Sequence, residues 1–520
     1  MKRLFADKPR NKTILFSSVV FLLLAHLYRW TNAMFSHDSL LIRQRDHGWQ
    51  ISLGRIFNPV YLRFRGEIVS PPLVAMFGSV FLIASIFLCC HILGLKKKSS
   101  LILASGLMTT FETISFVNAS FLLSLDLDML ALLFAVLAAF FLLEREIRPV
   151  LRYPAAVVCG TLSLGLFQSY IEVTILLVIL VLLRELLCGE TALRVFLRGS
   201  AAVAALLLTG GVYYACLQIA WRFTGISPAS SYNSLSMMTT ITPAAIPGLL
   251  RQTWRFPFRY LFSIPETAHR AASIRIHVFL FVFLLWEIFR RLREQKAGAA
   301  SVILTLFLLG VLPLGCNCSF FLTHGLKHGL MTYSFAFYAV WAVMLYDDLP
   351  PVKALEFKNA KAAAVACACG VLILNHIMFA QQLYLKKDLE FKAGYSFMTR
   401  LVMRMEETEG YHAGQTKIAI LGHVDDNPLS HTMKGMDFVK DIFIGTTHHL
   451  TISYYGTYPN YFEYILDYPY SPVPLSELHR CISDPAVQQM PVYPEPGSVA
   501  MIGDTLVVRL SEDLRPYELR

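Results

Sequence analysis

The chain has 520 residues, of which 55% are hydrophobic and only 16% charged, and its mean hydropathy is +0.52. Soluble domains carry about 25% charged residues, so the composition excludes an ordinary soluble enzyme and points to lipid. The net charge of +10 fits the Lys and Arg that cytoplasmic loops of a membrane protein gather, and without a basic patch interleaved with aromatics it does not indicate a nucleic-acid partner.

Apolar segments of about 17–25 residues are candidate membrane helices. They fall near 13–30, 72–94, 100–118, 121–143, 155–168, 171–187, 199–221, 275–289, 300–320, 329–346 and 362–381. The first ends in "YRW" and lacks a small-residue cleavage site, so it reads as an anchor and not a removable signal. The run 155–187 is too long for one span and divides at "FQSYIE" (Phe167 to Glu172), where polar residues interrupt it. With the N-terminus in the cytoplasm, the inside loops hold about 21 Lys and Arg in about 66 residues, and the outside loops about 10 in about 104. That bias supports about 11 spans. It also puts the loop 31–70, "FQSYIE", the loop 223–273 and everything after residue 383 on the outer face.

The charged residues then follow in chain order. After the first span comes "SHDSLLIRQRDHGWQISLGRIFNPVYLRFRGE", where Asp38, Asp46 and Glu67 sit among Arg43, Arg45, Arg55, Arg63 and Arg65. Apolar residues at 49, 53, 56, 57, 60 and 64 share one helical face, which predicts an amphipathic helix lying in the interface. Asp38 beside such a helix suits holding a cationic or hydroxyl substrate near an anionic headgroup. Glu112 falls within the third span. Asp126 and Asp128 open the fourth, and two residues apart on a helix their side chains diverge by roughly 200°, so they do not form a chelating pair. "FQSYIE" brings Gln168, Tyr170 and Glu172 to the same level. "CNCSFFLTHGLKHG" adds His324, Lys327 and His328, with Cys316 and Cys318 at a spacing unusual for zinc. Such a loop suits cations for phosphate. The other cysteines lie mostly inside apolar runs as small hydrophobes. There is no phosphate-cradling Gly-Lys-Ser loop and no dinucleotide fingerprint.

The tail 384–520 reads as a small α+β domain outside the membrane, separate from a multi-span domain over 1–383. "LEFKAGYSFMTRLVMRMEET" has helical recurrence, "TKIAIL" reads as a strand, and "SVAMIGDTLVVRL" reads as a hairpin around Gly503-Asp504. "SELHRCI" starts a helix with a serine cap, and Asp425 and Asp426 fit a solvated turn.

Several of these residues carry a resemblance. His37-Asp38, "WQISLGRIFNP", the "SPPL" opening of the second span, the acid before "DMLALLFAVLA", "LGLFQSYIEV" and the closing "MPVYPEPGSVAMIGDTLVVRLSE" occur in that order. Together they resemble the Gtr type II family of O-antigen glucosyltransferases, membrane enzymes of bacteria with the GT-C architecture. The resemblance is densest from about 30 to 175. It implies transfer of a sugar, expected to be glucose, from a polyprenyl-phosphate donor to a surface glycan such as lipopolysaccharide O-antigen, at the outer face of the cytoplasmic membrane. Under that reading Asp38 is the general base on the acceptor hydroxyl, with Asp46 as the rival. Arg43, Arg45, Arg55 and Lys327, with His324 nearby, would meet the departing phosphate. Asp126 or Asp128, with Gln168 and Tyr170, would orient sugar hydroxyls. No cofactor is assigned, and whether a divalent metal assists stays open. The competing class is a transporter or flippase of a lipid-linked sugar, against which stands the lack of repeated halves with broken helices.

Overall fold

The computed structural model describes residues 7–36, 40, 47–66, 69–229, 241–262, 270–349, 357–429 and 455–519. The chain is mainly helical and forms two compact units. One comprises Met1–Trp30, Gln44–Asn118 and Leu122–Gln381, and the other Thr31–Arg43, Ala119–Phe121 and Gln382–Arg520.

In the first unit the helices relevant to the site are α1 (Lys8–Thr31), α2 (Gly48–Ser52), α3 (Asn58–Arg65), α4 (Pro71–Ile92), α5 (Lys98–Thr110), α6 (Glu112–Ser120) and α7 (Leu125–Leu143). They are followed by α8 (Pro149–Leu166), α9 (Ile171–Leu187), α10 (Ala192–Thr224), α11 (Ile246–Phe262), α12 (Arg270–Glu294), α13 (Ala299–Gly315), α14 (Cys318–Leu322), α15 (Phe337–Asp347) and α16 (Phe357–Glu406), the last of which belongs to the second unit from Gln382 onward. Among the described residues, seven stretches are long and apolar enough to cross a membrane: Lys8–Thr31, Pro71–Ile92, Lys98–Ser120, Leu122–Leu143, Pro149–Leu166, Ala192–Thr224 and Ala360–Glu406. The chain is therefore a multi-pass membrane protein. Of the remaining predicted spans, 171–187 is a helix of 17 residues, 275–289 lies inside α12, and 300–320 divides into α13 and α14. The stretch 329–346 is helical only from Phe337, after two short turns, and is almost wholly buried by protein.

α7 is the centre of this unit, packed by α4, α8 and α9. Ala131, Ala135, Ala138 and Ala139 are fully or nearly buried along it, and small residues let neighbouring membrane helices close up. One expectation is refined and one changes here. Glu112 lies within the third span as expected, but the span Lys98–Ser120 is interrupted at Phe111, so that Glu112 opens α6. A carboxylate in the first turn is favoured by the helix dipole. The amphipathic helix expected over 49–64 is two helices, α2 and α3. Gly54 turns the chain with a left-handed φ of +84° that other residues rarely adopt, and Pro59 suits the first turn of α3. The end of α1 is held by its own polar groups: Arg29 donates to the Asn118 carbonyl at 2.9 Å and Trp30 to Asn118 Oδ1 at 2.7 Å.

The second unit holds a three-stranded sheet in the order β1 (Lys417–Leu421), β3 (Thr505–Arg509), β2 (Val499–Ile502). β1 runs parallel to β3 with Ile418 opposite Leu506, and β2 pairs antiparallel to β3 across the turn at Gly503. The strand and hairpin lie where the sequence places them. Phe397, Met398, Leu401 and Met405 of α16 cover the core together with Tyr461, Phe462 and Leu40. The serine cap at Ser476 does not form: a single 3₁₀ turn, Leu475–Glu477, precedes the helix Leu478–Ser483 and Glu477 occupies the cap position. Asp426 is exposed, whereas Asp425 is half-buried with its N–H donating to His423 Nδ1 at 3.3 Å.

Candidate active site

Two of the stretches that carry the resemblance, Trp49 to Pro59 and Leu164 to Val173, meet in space. The turn after α2, within "SLGRIF", presents the carbonyls of Leu53 and Gly54. Gln168, in the 3₁₀ turn Gln168–Tyr170 between α8 and α9, donates Nε2 to the Leu53 carbonyl at 2.7 Å and to Tyr213 Oη at 3.0 Å. Tyr213 of α10 in turn donates its hydroxyl to the Gly54 carbonyl at 3.0 Å. Trp221 Nε1 donates to the Ile51 carbonyl at 2.9 Å, and the Phe57 N–H to Gly165 at 3.0 Å. The fit at Gly165 is tight, since a Cβ there would lie 2.3 Å from the Phe57 ring. Buried backbone groups must be paired, and here side chains from distant helices do so. Arg55 leaves this clamped turn with its guanidinium 4.6 Å from the Phe167 ring centroid, a cation–π contact that holds the charge at the site.

The two aspartates of α7 separate as their spacing requires. Asp126 is fully buried and accepts from Arg65 Nη1 at 2.8 and 3.0 Å, from Tyr61 Oη at 2.9 Å and from the Leu127 N–H at 3.0 Å. Arg65 also donates to the Leu123 carbonyl at 2.9 Å. Burial, and then the Asp126 charge, hold the Tyr61 phenol above its ordinary pKa, so it stays a donor to this carboxylate. Asp126 thus joins α3 to α7. Asp128 is also buried, at 8% exposure, but makes no side-chain hydrogen bond or ion pair among the described residues. The charges acting on it are Arg55 and Asp126. The Tyr170 hydroxyl, within electrostatic reach of Asp128, is buried without a hydrogen-bond partner among the described residues. Orphaned buried polar groups are rare and ask for a ligand or water. Tyr170 therefore leaves a buried donor unfilled, and Asp128, without a side-chain partner among the described residues, lies within electrostatic reach of both Tyr170 and Arg55.

A second cluster lies one turn further on. Lys327 donates to both oxygens of Glu172 at 2.9 and 2.8 Å and to Ser319 Oγ at 2.8 Å. Glu172 further accepts from the Ser319 N–H at 2.8 Å, the Ser319 hydroxyl at 2.6 Å and the Ser334 hydroxyl at 3.3 Å. Both charged side chains are fully buried. The Lys327 charge is committed to Glu172, and its place is to join the turn after α14 to α9. Glu112 accepts from Tyr260 Oη at 2.8 Å, tying α6 to α11.

Of the residues singled out in the sequence, Arg55, Asp128, Gln168 and Tyr170 come together. Asp126 is engaged with Arg65, and His324 lies on the turn after α14 with a φ of +52°. Asp38, Arg43, Arg45 and Asp46 fall outside the described residues. Among the described residues no three His, Cys, Asp or Glu side chains converge as a metal site would require. Sequence reasoning missed Tyr61, Tyr213, Ser319 and Ser334, which are polar residues with no local pattern. A family model described as Glucosyl transferase GtrII matches residues 27–346. No curated protein and no solved structure matches.

Proposed function

The chain belongs to the glucosyl transferase GtrII family, and from that premise we propose that it transfers glucose from a polyprenyl-phosphate donor to a surface glycan such as lipopolysaccharide O-antigen. The reaction would take place at the outer face of the bacterial cytoplasmic membrane, with the N-terminus inside, the tail domain outside and about 11 spans in a GT-C arrangement. The observation that carries the reading is the cluster of Asp128, Tyr170 and Arg55: a buried carboxylate and a buried phenol without hydrogen bonds among the described residues, within electrostatic reach of a cation, in a chain built for lipid. A pyranose supplies the hydroxyls such groups lack, and a phosphoryl leaving group supplies the negative charge Arg55 would meet.

The step is a displacement at the anomeric carbon. The general base, assigned from the sequence to Asp38 with Asp46 as alternative, takes the proton of the acceptor hydroxyl. The acceptor oxygen bonds to the anomeric carbon while the bond to phosphate oxygen breaks, and polyprenyl phosphate leaves with the bonding pair. Arg55 offsets the charge that develops on it, together with Arg43 and Arg45 of the opening loop. Asp128, Tyr170 and Gln168 hold the sugar. Glu172 and Lys327 act on the shape of the site and not on the phosphate. The sugar arrives activated, consistent with the lack of a nucleotide-binding motif.

The test compares Asp38→Asn, Asp46→Asn and Asp128→Asn for label transfer from glucosyl polyprenyl phosphate. The first and third are expected to lose at least about a hundredfold in kcat/KM, in line with general-base and charge-placement roles. Full transfer by Asp38→Asn and Asp128→Asn together would overturn the assignment.

A further inference from the structure

The loop 223–273 carries a feature that the span pattern passes over. Within it α11, "IPGLLRQTWRFPFRYLF", holds Arg251, Arg255 and Arg259 at i, i+4 and i+8, which places them along one stripe of the helix. All three are exposed, and α11 contains no acid. None of the three makes a hydrogen bond or ion pair among the described residues. The opposite face is docked to the protein. Tyr260 donates to Glu112 at 2.8 Å, Asn317 Nδ2 to the Thr253 carbonyl at 2.9 Å and Trp254 Nε1 to the Gly310 carbonyl at 3.0 Å. Phe256 packs on Phe320 with ring centroids 4.8 Å apart. This is not the pattern of a surface anchor, which turns its apolar face to lipid. Here that face is taken up by the fold and the cations are held on a fixed support.

Beside the stripe lies a cavity of about 330 Å³ between α9, α11, α12, α13 and the segment before α15. That is more than twice the roughly 150 Å³ that accommodates benzene in an apolar protein interior. Trp254 and Phe258 of α11 form one wall, and Leu284, Leu285, Leu312 and Phe335 are among the others. Trp254 and Leu285 are also among the exposed apolar side chains, so the cavity meets the surface there. Its lining also includes Ser334 and Phe335. Ser334 bonds Glu172, and the Phe335 ring centroid is 5.6 Å from Lys327 Nζ. An apolar chain in the cavity would therefore lie between the helix that carries the arginines and the second polar cluster.

We propose that α11 and this cavity form the docking seat that the phospho-lipid donor occupies before its phosphate passes to Arg55: Arg251, Arg255 and Arg259 first hold its phosphate, and its prenyl chain passes Trp254 and Phe258 into the cavity. The proposal rests on the donor reading above and names where that donor first docks. Arginine forks suit phosphate oxygens, and a head-and-chain ligand alone uses both the stripe and the cavity. A soluble sugar nucleotide would leave the cavity empty, and a phospholipid, which also has a phosphate and apolar chains, is the competitor that the test includes.

The test uses full-length protein in micelles and a benzophenone-bearing polyprenyl phosphate. Photolabel is expected on peptides spanning 246–262 and 281–288, displaced by polyprenyl phosphate and not by equal phosphatidylglycerol. The variant Arg251→Gln/Arg255→Gln/Arg259→Gln, whose changes are on the exposed face, is expected to keep its melting temperature. It should lose at least tenfold in labelling and raise the donor KM at least tenfold, with acceptor KM unchanged. Leu312→Trp, which fills the cavity, is expected to weaken long-chain donors more than a single-isoprenoid one. Label on other helices, an unchanged donor KM in the triple variant, or equal displacement by phosphatidylglycerol would each overturn the seat. Labelling reads binding without turnover. Labelling as expected with no transfer by wild type would refute the transfer reaction and leave the seat, whereas normal transfer with unaltered labelling in the triple variant would refute the seat alone.

Discussion

Replacing Lys327 by methionine keeps most of the side chain's length and removes its charge. In the native protein the ammonium is within 2.9 Å of both Glu172 oxygens and both side chains are fully buried. After the change Glu172 retains only neutral donors, the Ser319 N–H and hydroxyl and the Ser334 hydroxyl. Removing one partner of a buried pair costs about 3–5 kcal/mol, because a charge is left uncompensated. Glu172→Gln should cost a similar amount by stranding the ammonium. The double variant buries no charge and should recover much of the loss, giving a coupling of at least about 2 kcal/mol in a double-mutant cycle. Denaturant titrations in mixed micelles, followed by near-ultraviolet circular dichroism, measure each corner. Single variants within about 0.5 kcal/mol of wild type, the range of ordinary surface changes, would refute the reasoning and with it the placement of Lys327 away from the phosphate.

Arg65→Ala should destabilise by about 3 kcal/mol or more, since it strands Asp126, while Tyr61→Phe loses one hydrogen bond to a charged group and should cost about 1.5–3 kcal/mol; the same titrations check both. Gly165→Ala should cost about 1–3 kcal/mol by overpacking against Phe57, whereas Gly210→Ala, with nothing within 4 Å of the added Cβ, should not lower the melting temperature. Burial pushes the Glu144 carboxyl up, but the Glu146 N–H and His91 together hold it below the ordinary glutamate value. The stability it contributes is present above that ordinary value and fades as pH falls through the lowered one. Glu144→Gln should therefore flatten the acid limb of a melting-temperature profile.

How much could be read from the sequence depended on whether the information was local. Apolar runs, the break at Phe167, the strand at 417–421 and the turn at Gly503 are written in neighbouring residues, and each lies where the pattern puts it. The divergence of Asp126 and Asp128 was also legible, because helical geometry alone requires it. The partners were not. Arg65 is 61 positions from Asp126 and Lys327 is 155 from Glu172, and nothing local distinguishes a lysine that will be buried against a carboxylate from one that will meet phosphate. α11 was hidden for a different reason: its arginines lower the hydropathy of the stretch, and Pro257 lies inside the helix. The spacing Arg251, Arg255, Arg259 was the signal that would have found it.

The central claim is transfer from a lipid-linked donor, and one reconstitution tests it directly. Purified protein in micelles is given glucosyl polyprenyl phosphate labelled in the sugar, a surface glycan, and in a parallel sample a labelled sugar nucleotide. The account predicts label in the glycan from the lipid donor alone, with one polyprenyl phosphate released per sugar moved. Label passing from the nucleotide, or labelled lipid carried across vesicles with none reaching the glycan, would contradict it.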